Sequence, residues 1–423
     1  MEYNYFGKEQ KVYYEQLENG LKVYMLPNKN VNSFCINLVS RYGSDVKEFI
    51  PFGKKDYERI PDGLAHFLEH KVFDIEKGDA FSLFSKYGAY SNAATSNLFT
   101  KYYVIGKKNF KKCLENLLTL VYTPYFTEDT INKEIGIISE EIRMYHDETD
   151  WQLEKNFRDC FYNNILNLEI AGSEESIRSI TKEMLFKVYD TFYQPSNMML
   201  IVTGNFKNQD VLNILKNNEA LNNKVSLNEI VYKDEKDIVN VSSEYQEFYG
   251  NIVYPKFKYG FKIDLDSFNI KDKLKLELYL DAFFSLMYGD VSEFNDYNLE
   301  NKLSNWYYIG YGKVKDNIYC FDVTAESEYA DLFVEKVDKV LINPNILQED
   351  FERLRKIWIA SSIRRIDDCT YLCDSFMQDI LAYQKIIDHH ELISCLDFQE
   401  FLSVIKKIDF NNKTFVLMLP NKE

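Results

Sequence analysis

The order of elements in this 423-residue chain runs twice, and an internal repeat is the feature that most narrows what it can fold into. "TEDTINKEIGIISEEIR" at 127–143 lies over "LQEDFERLRKIWIASSIRR" from 347, so that Glu128 meets Glu349, Ile142 meets Ile363 and Arg143 meets Arg364. "VYTP", ending at Pro124, similarly meets "LINP", ending at Pro344. The chain is too long for one ordinary core. The repeat therefore predicts two similar domains, at 1–208 and 246–423, with a linker and terminal helix at 209–245.

Within each copy the pattern is α+β. "KVYYEQL", a Glu-Asn-Gly turn at 18–20 and "LKVYML" read as a hairpin, with Asn19 and Gly20 supplying the positive φ angles of a tight turn. "SFCINLVSRYGS" is a third strand and "NMMLIVTGNF" a closing one. Between them lie helical stretches: "FKKCLENLLTLVYTP", stopped by Pro124, and the 127–143 segment, with Thr127 as a start signal and Ile131, Ile135, Ile138 and Ile142 at helical spacing. The expected architecture is two mostly antiparallel sheets, each packed with helices.

The two copies differ chemically. Where the first has Glu134 and Glu141, the second has Arg355 and Ser362, and its earlier helix, "LKLELYLDAFFSLMYG", has no histidine. The corresponding stretch of the first copy, "GLAHFLEHKVF" at 63–73, has two. On a helix His66 and His70 stack one turn apart and present two imidazoles to a single ion, a donor pair that suits Zn²⁺. Glu69 lies beside them, within reach of a water at such an ion without ligating it, which is where a general base belongs. A third ligand is needed, and Glu134 and Glu141 fall on one face of the 127–143 helix, with Glu140 turned about a quarter turn away. Glu141 is the better placed as ligand, with Glu134 as a supporting carboxylate.

HxxEH is the inverted zinc-peptidase arrangement. On these residues the sequence resembles the insulinase (pitrilysin) family of zinc metallopeptidases, and the resemblance runs over most of the chain. It implies one Zn²⁺ per chain, held by His66, His70 and Glu141, with Glu69 as catalytic base and Glu134 matching the second family glutamate. "GAYSNAATSNLFTKYY" is similar to the family's edge strand, on which a peptide pairs as an added strand, so Asn92, Ala93 and Thr95 are implied as substrate-binding. The family's two domains form a half-shell, and two half-shells enclose a peptidase chamber that admits short or unfolded peptides. The second domain of such a protein contributes an Arg and a Tyr seven residues apart. In "LENKLSNWYYIGYG" the tyrosine is matched by Tyr307, or its neighbour Tyr308, while Glu300 stands in the arginine's place.

That departure implies a heterodimer in which a related zinc-free chain supplies Arg and Tyr, with a homodimer as the alternative. The insert at 45–62 and Lys71 resemble cytosolic bacterial members, some of which process ribosomally made precursor peptides. The competing expectation is a noncatalytic peptide-binding or assembly subunit. It predicts a broken motif, and this motif is whole.

Composition mainly excludes. A net charge of −16 argues against nucleic acid. The first residues lack a signal-peptide pattern and no apolar run nears the ~18 residues of a membrane span, so a soluble cytoplasmic protein is expected. Seven scattered cysteines without a CxxC pair read as reduced thiols. His389 and His390, adjacent and about 100° apart on a helix, read as solvated, His146 as structural or superficial. "GSEESI" at 172–177 reads as a helix start.

Overall fold

The computed structural model describes residues 1–6, 10–76, 78–163, 169–224, 230–268, 270–315, 317–342 and 344–422. Two sheets dominate it. The first has seven strands, in the order Glu2–Asn4, Lys11–Gln16, Lys22–Pro27, Met198–Gly204, Phe34–Ser40, Thr100–Gly106 and Tyr90–Thr95. Its two middle strands, "FCINLVS" and "MMLIVTG", are buried along their whole length, as near-continuous apolar runs covered on both faces must be. The second sheet has five, in the order Tyr245–Gly250, Lys413–Pro420, Lys256–Asp264, Ile318–Glu326 and Trp306–Lys315.

Five strands of the first sheet repeat the plan of the second. In each, one parallel pair (Lys22–Pro27 with Met198–Gly204; Tyr245–Gly250 with Lys413–Pro420) is followed by three antiparallel partners ending on an edge strand. The sequence repeat is thus a repeat of topology, and the fold is α+β with two similar sheet-and-helix halves.

The compact units are not contiguous stretches of chain. One comprises Met1–Ile142, Leu168–Asp234 and Ala360–Glu391; the other Arg143–Asn167, Glu235–Ile359 and Leu392–Glu423. Two helices sit with the sheet of the other copy. In the first unit the late helix Cys369–Tyr383 packs Leu372, Cys373, Phe376, Met377 and Ile380 against Tyr24, Cys35, Val39, Met199 and Ile201. In the second the early helix Thr149–Phe161 places Leu153, Phe157 and Phe161 against Ile318, Val416 and Met418. Such exchange leaves no local trace, because each helix keeps an ordinary apolar stripe whichever sheet receives it.

Two local expectations change. In the first hairpin only Gly20 has positive φ (88°); Asn19 does not, and its side chain instead accepts from the Leu21 N–H. The loop is longer than a two-residue turn, with Leu17 and Leu21 bonded across it. His389 is not solvated: its Nε2 lies 2.7 Å from Asp379 Oδ2, which also accepts from the Tyr5 hydroxyl at 2.6 Å. The aspartate is a helix residue ten positions earlier, outside any motif spacing. Ser173 starts the helix Glu174–Arg178 in a capping box with Ser176, as its sequence predicts. Cys35, Cys113, Cys160, Cys320, Cys369 and Cys373 are buried free thiols and Cys395 is an exposed one.

Candidate metal centre on the first sheet

The helix Leu64–Val72 begins at Gly63, whose φ of 84° is natural only to glycine and whose absent Cβ would stand 2.3 Å from the Ala171 carbonyl. Leu64, Ala65, Phe67, Leu68 and Val72 are buried and fix the helix against the core. Of the four remaining positions Lys71 is also buried, and His66, Glu69 and His70 share the other side. The helix Glu128–Asp147 is set by Thr127, whose hydroxyl accepts from the Thr130 N–H at 3.2 Å, and by buried Ile131, Ile138 and Ile142. Glu134 and Glu141 follow on the face turned to the histidines.

His66 Nε2 lies 3.9 Å from Glu141 Oε1 and His70 Nε2 lies 3.8 Å from Glu141 Oε2. These separations are too long for hydrogen bonds. One ligand atom from each of the three residues nevertheless lies within 4.8 Å of the others. Donors that converge without bonding one another leave room for an ion at ligand distances of about 2.0–2.2 Å. Two imidazoles and a carboxylate are a zinc donor set with one position left for water, so the residues fit zinc. Among the described residues no other three His, Cys, Asp or Glu converge in this way.

Glu134 Oε1 accepts from His70 Nδ1 at 2.9 Å. An ionised carboxylate can only accept, so the bond keeps the Nδ1 proton in place and turns Nε2 toward Glu141. Burial and the neighbouring His70 push His66 down to about 4, so it is neutral near pH 7 and offers a lone pair. For His70 burial pulls the same way, but the bond and charge of Glu134, with Glu69 and Glu141, outweigh it and raise the value. Glu134 is the reciprocal case: burial opposes ionisation, while His70, Lys71 and Lys133 lower its value overall.

Glu69 is buried, and burial raises its carboxyl above the usual range against the opposing bond from Thr95. That bond is short: Thr95 Oγ1 donates to Glu69 Oε2 at 2.6 Å. Sequence spacing could not reveal it, since the partners lie 26 residues apart on a strand and a helix. Lys71 is fully buried and paired with Asp74, a second contact that the motif does not announce.

The strand Tyr90–Thr95 is one edge of the first sheet, and among the described residues its one strand partner is Thr100–Gly106. The Asn92 side chain accepts from the Ala93 N–H at 2.9 Å and donates to the Tyr90 hydroxyl at 3.0 Å. An edge donor is thereby covered by its own neighbour.

The second-domain candidates fare differently. Tyr307 turns toward its own helices, where its hydroxyl donates to the Tyr288 carbonyl at 3.0 Å and Asn295 Oδ1 at 3.1 Å. Tyr308, one residue on, is 56 % exposed. Strand alternation thus turns Tyr307 inward to these two bonds and leaves the Tyr308 side chain exposed. Glu300 is exposed in the helix Glu293–Asn301. His146 is exposed and lies against Trp151, with ring centroids 4.6 Å apart and ring planes tilted by 34°.

The fold and site define a chain of two sheet-and-helix halves, the first carrying an HxxEH helix whose histidines converge with Glu141 in a group that could hold a metal. Family comparison agrees: the description "Insulinase (Peptidase family M16)" matches residues 49–174, and "Peptidase M16 inactive domain" matches residues 179–285. "Uncharacterized zinc protease YmfH" of Bacillus subtilis is 31% identical over 414 residues, covering 94% of each chain. The chain belongs to the insulinase family, peptidase family M16. A putative M16-like peptidase from Alicyclobacillus acidocaldarius has the same fold, with a TM-score of 0.88 at 24% identity over 97% of this chain and 99% of that one. The periplasmic protease PqqL from Escherichia coli superposes with a TM-score of 0.73 at 16% identity, covering 100% of this chain but 48% of that one.

Proposed function

We propose that this protein is a zinc-dependent endopeptidase acting on short or unfolded peptides. The observation that carries the reading is the convergence of His66, His70 and Glu141, with Glu69 buried beside them and held by the edge strand. His66, His70 and Glu141 would hold one zinc, and Glu134 orients His70. Zinc, when bound, supplies Lewis acidity that polarises the scissile carbonyl and makes a water acidic near neutral pH.

The chain's own residues perform the rest. The edge strand Tyr90–Thr95 takes the peptide as an added strand through its backbone, with Asn92 releasing the Ala93 N–H to it. Glu69 removes the proton from the attacking water and returns it to the leaving amine nitrogen. A carboxyl raised by burial suits both steps, since its proton affinity lies nearer the working pH. No acyl-enzyme is formed.

The same proposal includes a second, related half-shell without zinc, closing a chamber over the peptide and supplying an Arg and a Tyr. Three observations support it: this chain corresponds to about half of PqqL, Glu300 stands where the resemblance calls for arginine, and the Tyr307 hydroxyl is used within its own unit. A homodimer is the alternative assembly. A cytoplasmic location and a ribosomally made precursor peptide as substrate belong to the same reading; among the described residues no helix is long and apolar enough to cross a membrane.

The test is peptide hydrolysis and metal content of the purified protein, alone and with a candidate partner. About one zinc per chain and hydrolysis that Glu69→Gln abolishes are expected. Full activity of the isolated monomer would remove the heterodimer, and zinc-loaded protein inert in every assembly would remove the peptidase.

A further inference from the structure

The strand assigned to the peptide also holds the base. Ser91, Ala93 and Thr95 share one face of the strand Tyr90–Thr95, the face toward the core: Ser91 is 5% exposed and Ala93 packs against the core cluster. Thr95 therefore points at the histidine helix, where Oγ1 donates to Glu69 Oε2 at 2.6 Å. Its own position is pinned. It pairs with Thr100 across the ladder, and Thr100 Oγ1 donates to the Tyr42 carbonyl at 2.9 Å.

A carboxylate that moves a proton must present one oxygen in a fixed direction, and rotation about its last bond is otherwise broad. We propose that Thr95 is a positioning residue: by holding Oε2 it turns the other oxygen of Glu69 toward the reacting water, so that peptide docking and base alignment occur on the same six-residue strand. Thr95 then acts through Glu69 rather than as the substrate contact implied by the family resemblance. The inference rests on the peptidase reading of this site.

Three variants in the active assembly test it. Thr95→Val keeps the shape and removes the donor; kcat is expected to fall by on the order of 10²-fold while KM stays within about threefold and zinc content is unchanged. Thr95→Ser restores the donor and is expected within about threefold of the wild type in kcat. Unchanged kcat in Thr95→Val, a raised KM with kcat preserved, or Thr95→Ser as impaired as Thr95→Val would each overturn the proposal. A double-mutant cycle of Thr95→Val with Glu69→Ala, read as thermal melting of metal-free protein, tests the hold without activity: coupling supports it and additivity overturns it. A wild type that cuts no peptide in any assembly would sink the peptidase reading, and the melting cycle would still decide whether Thr95 holds Glu69.

Discussion

The two sheets answer the same geometric problem with different chemistry. In both, a strand hydroxyl donates to a helix carboxylate beneath the sheet: Thr95 to Glu69 at 2.6 Å in the first, Tyr319 to Asp281 at 2.7 Å in the second. In both, burial pushes the carboxyl upward, for Asp281 to about 7. The first sheet adds His66, His70, Glu134 and Glu141. The second has Arg355 where the repeat places Glu134, and that guanidinium is committed to Glu352 and the Leu396 carbonyl. The difference teaches that the plan supplies a hydrogen-bonded carboxylate by itself, and that four further side chains add the donors of a candidate metal site.

The strongest way to break the comparison is to take the imidazoles away. His66→Ala or His70→Ala should bring the first sheet to the metal-free state of the second, with zinc content falling from about one per chain to near zero by metal analysis. Glu69→Gln should keep the metal and lower turnover by roughly 10²–10⁴-fold, the range for removing a general base; near wild-type turnover would remove Glu69 from its role. Glu134→Gln weakens the grip on His70, and chelator competition should show zinc affinity lower by about 10–100-fold.

The second sheet yields the smaller effects. The folded-state value of Asp281 lies above the ordinary carboxyl range, so its contribution is full at pH below about 4 and is lost as pH rises through about 7. Asp281→Asn should remove that loss and stabilise the protein at pH 8 relative to pH 5 by about 2 kcal/mol, a value reduced because the residue is only half-buried. Denaturant melts at the two pH values measure it. Tyr307→Phe should cost about 1 kcal/mol of stability through its two lost bonds and leave turnover within about twofold. A large loss of turnover would return Tyr307 to the site.

What could be read before folding was whatever repeats at helical or strand spacing. The duplicated order, the His66–Glu69–His70 face and the Glu134–Glu141 face are periodic features, and the structure brings His66, His70 and Glu141 together. Contacts between elements distant in sequence left no such mark. Thr95 could be assigned to the edge strand by resemblance but not to Glu69, and His389 gave no sign of Asp379. Tyr307 and Tyr308 differ by one step of strand alternation, which sequence cannot resolve without knowing which face is covered.

The placement of Cys369–Tyr383 on the first sheet has a consequence for how the protein is made. A ribosome that has delivered every strand of that sheet, through Gly204, has still to deliver the helix that covers Cys35, Val39, Met199 and Ile201. The nascent first unit must keep an apolar face bare for more than 150 further residues, a long-range closure of the slow and aggregation-exposed kind. The sheet beside the candidate metal site is therefore covered on this face only once residues 369–383 have been made.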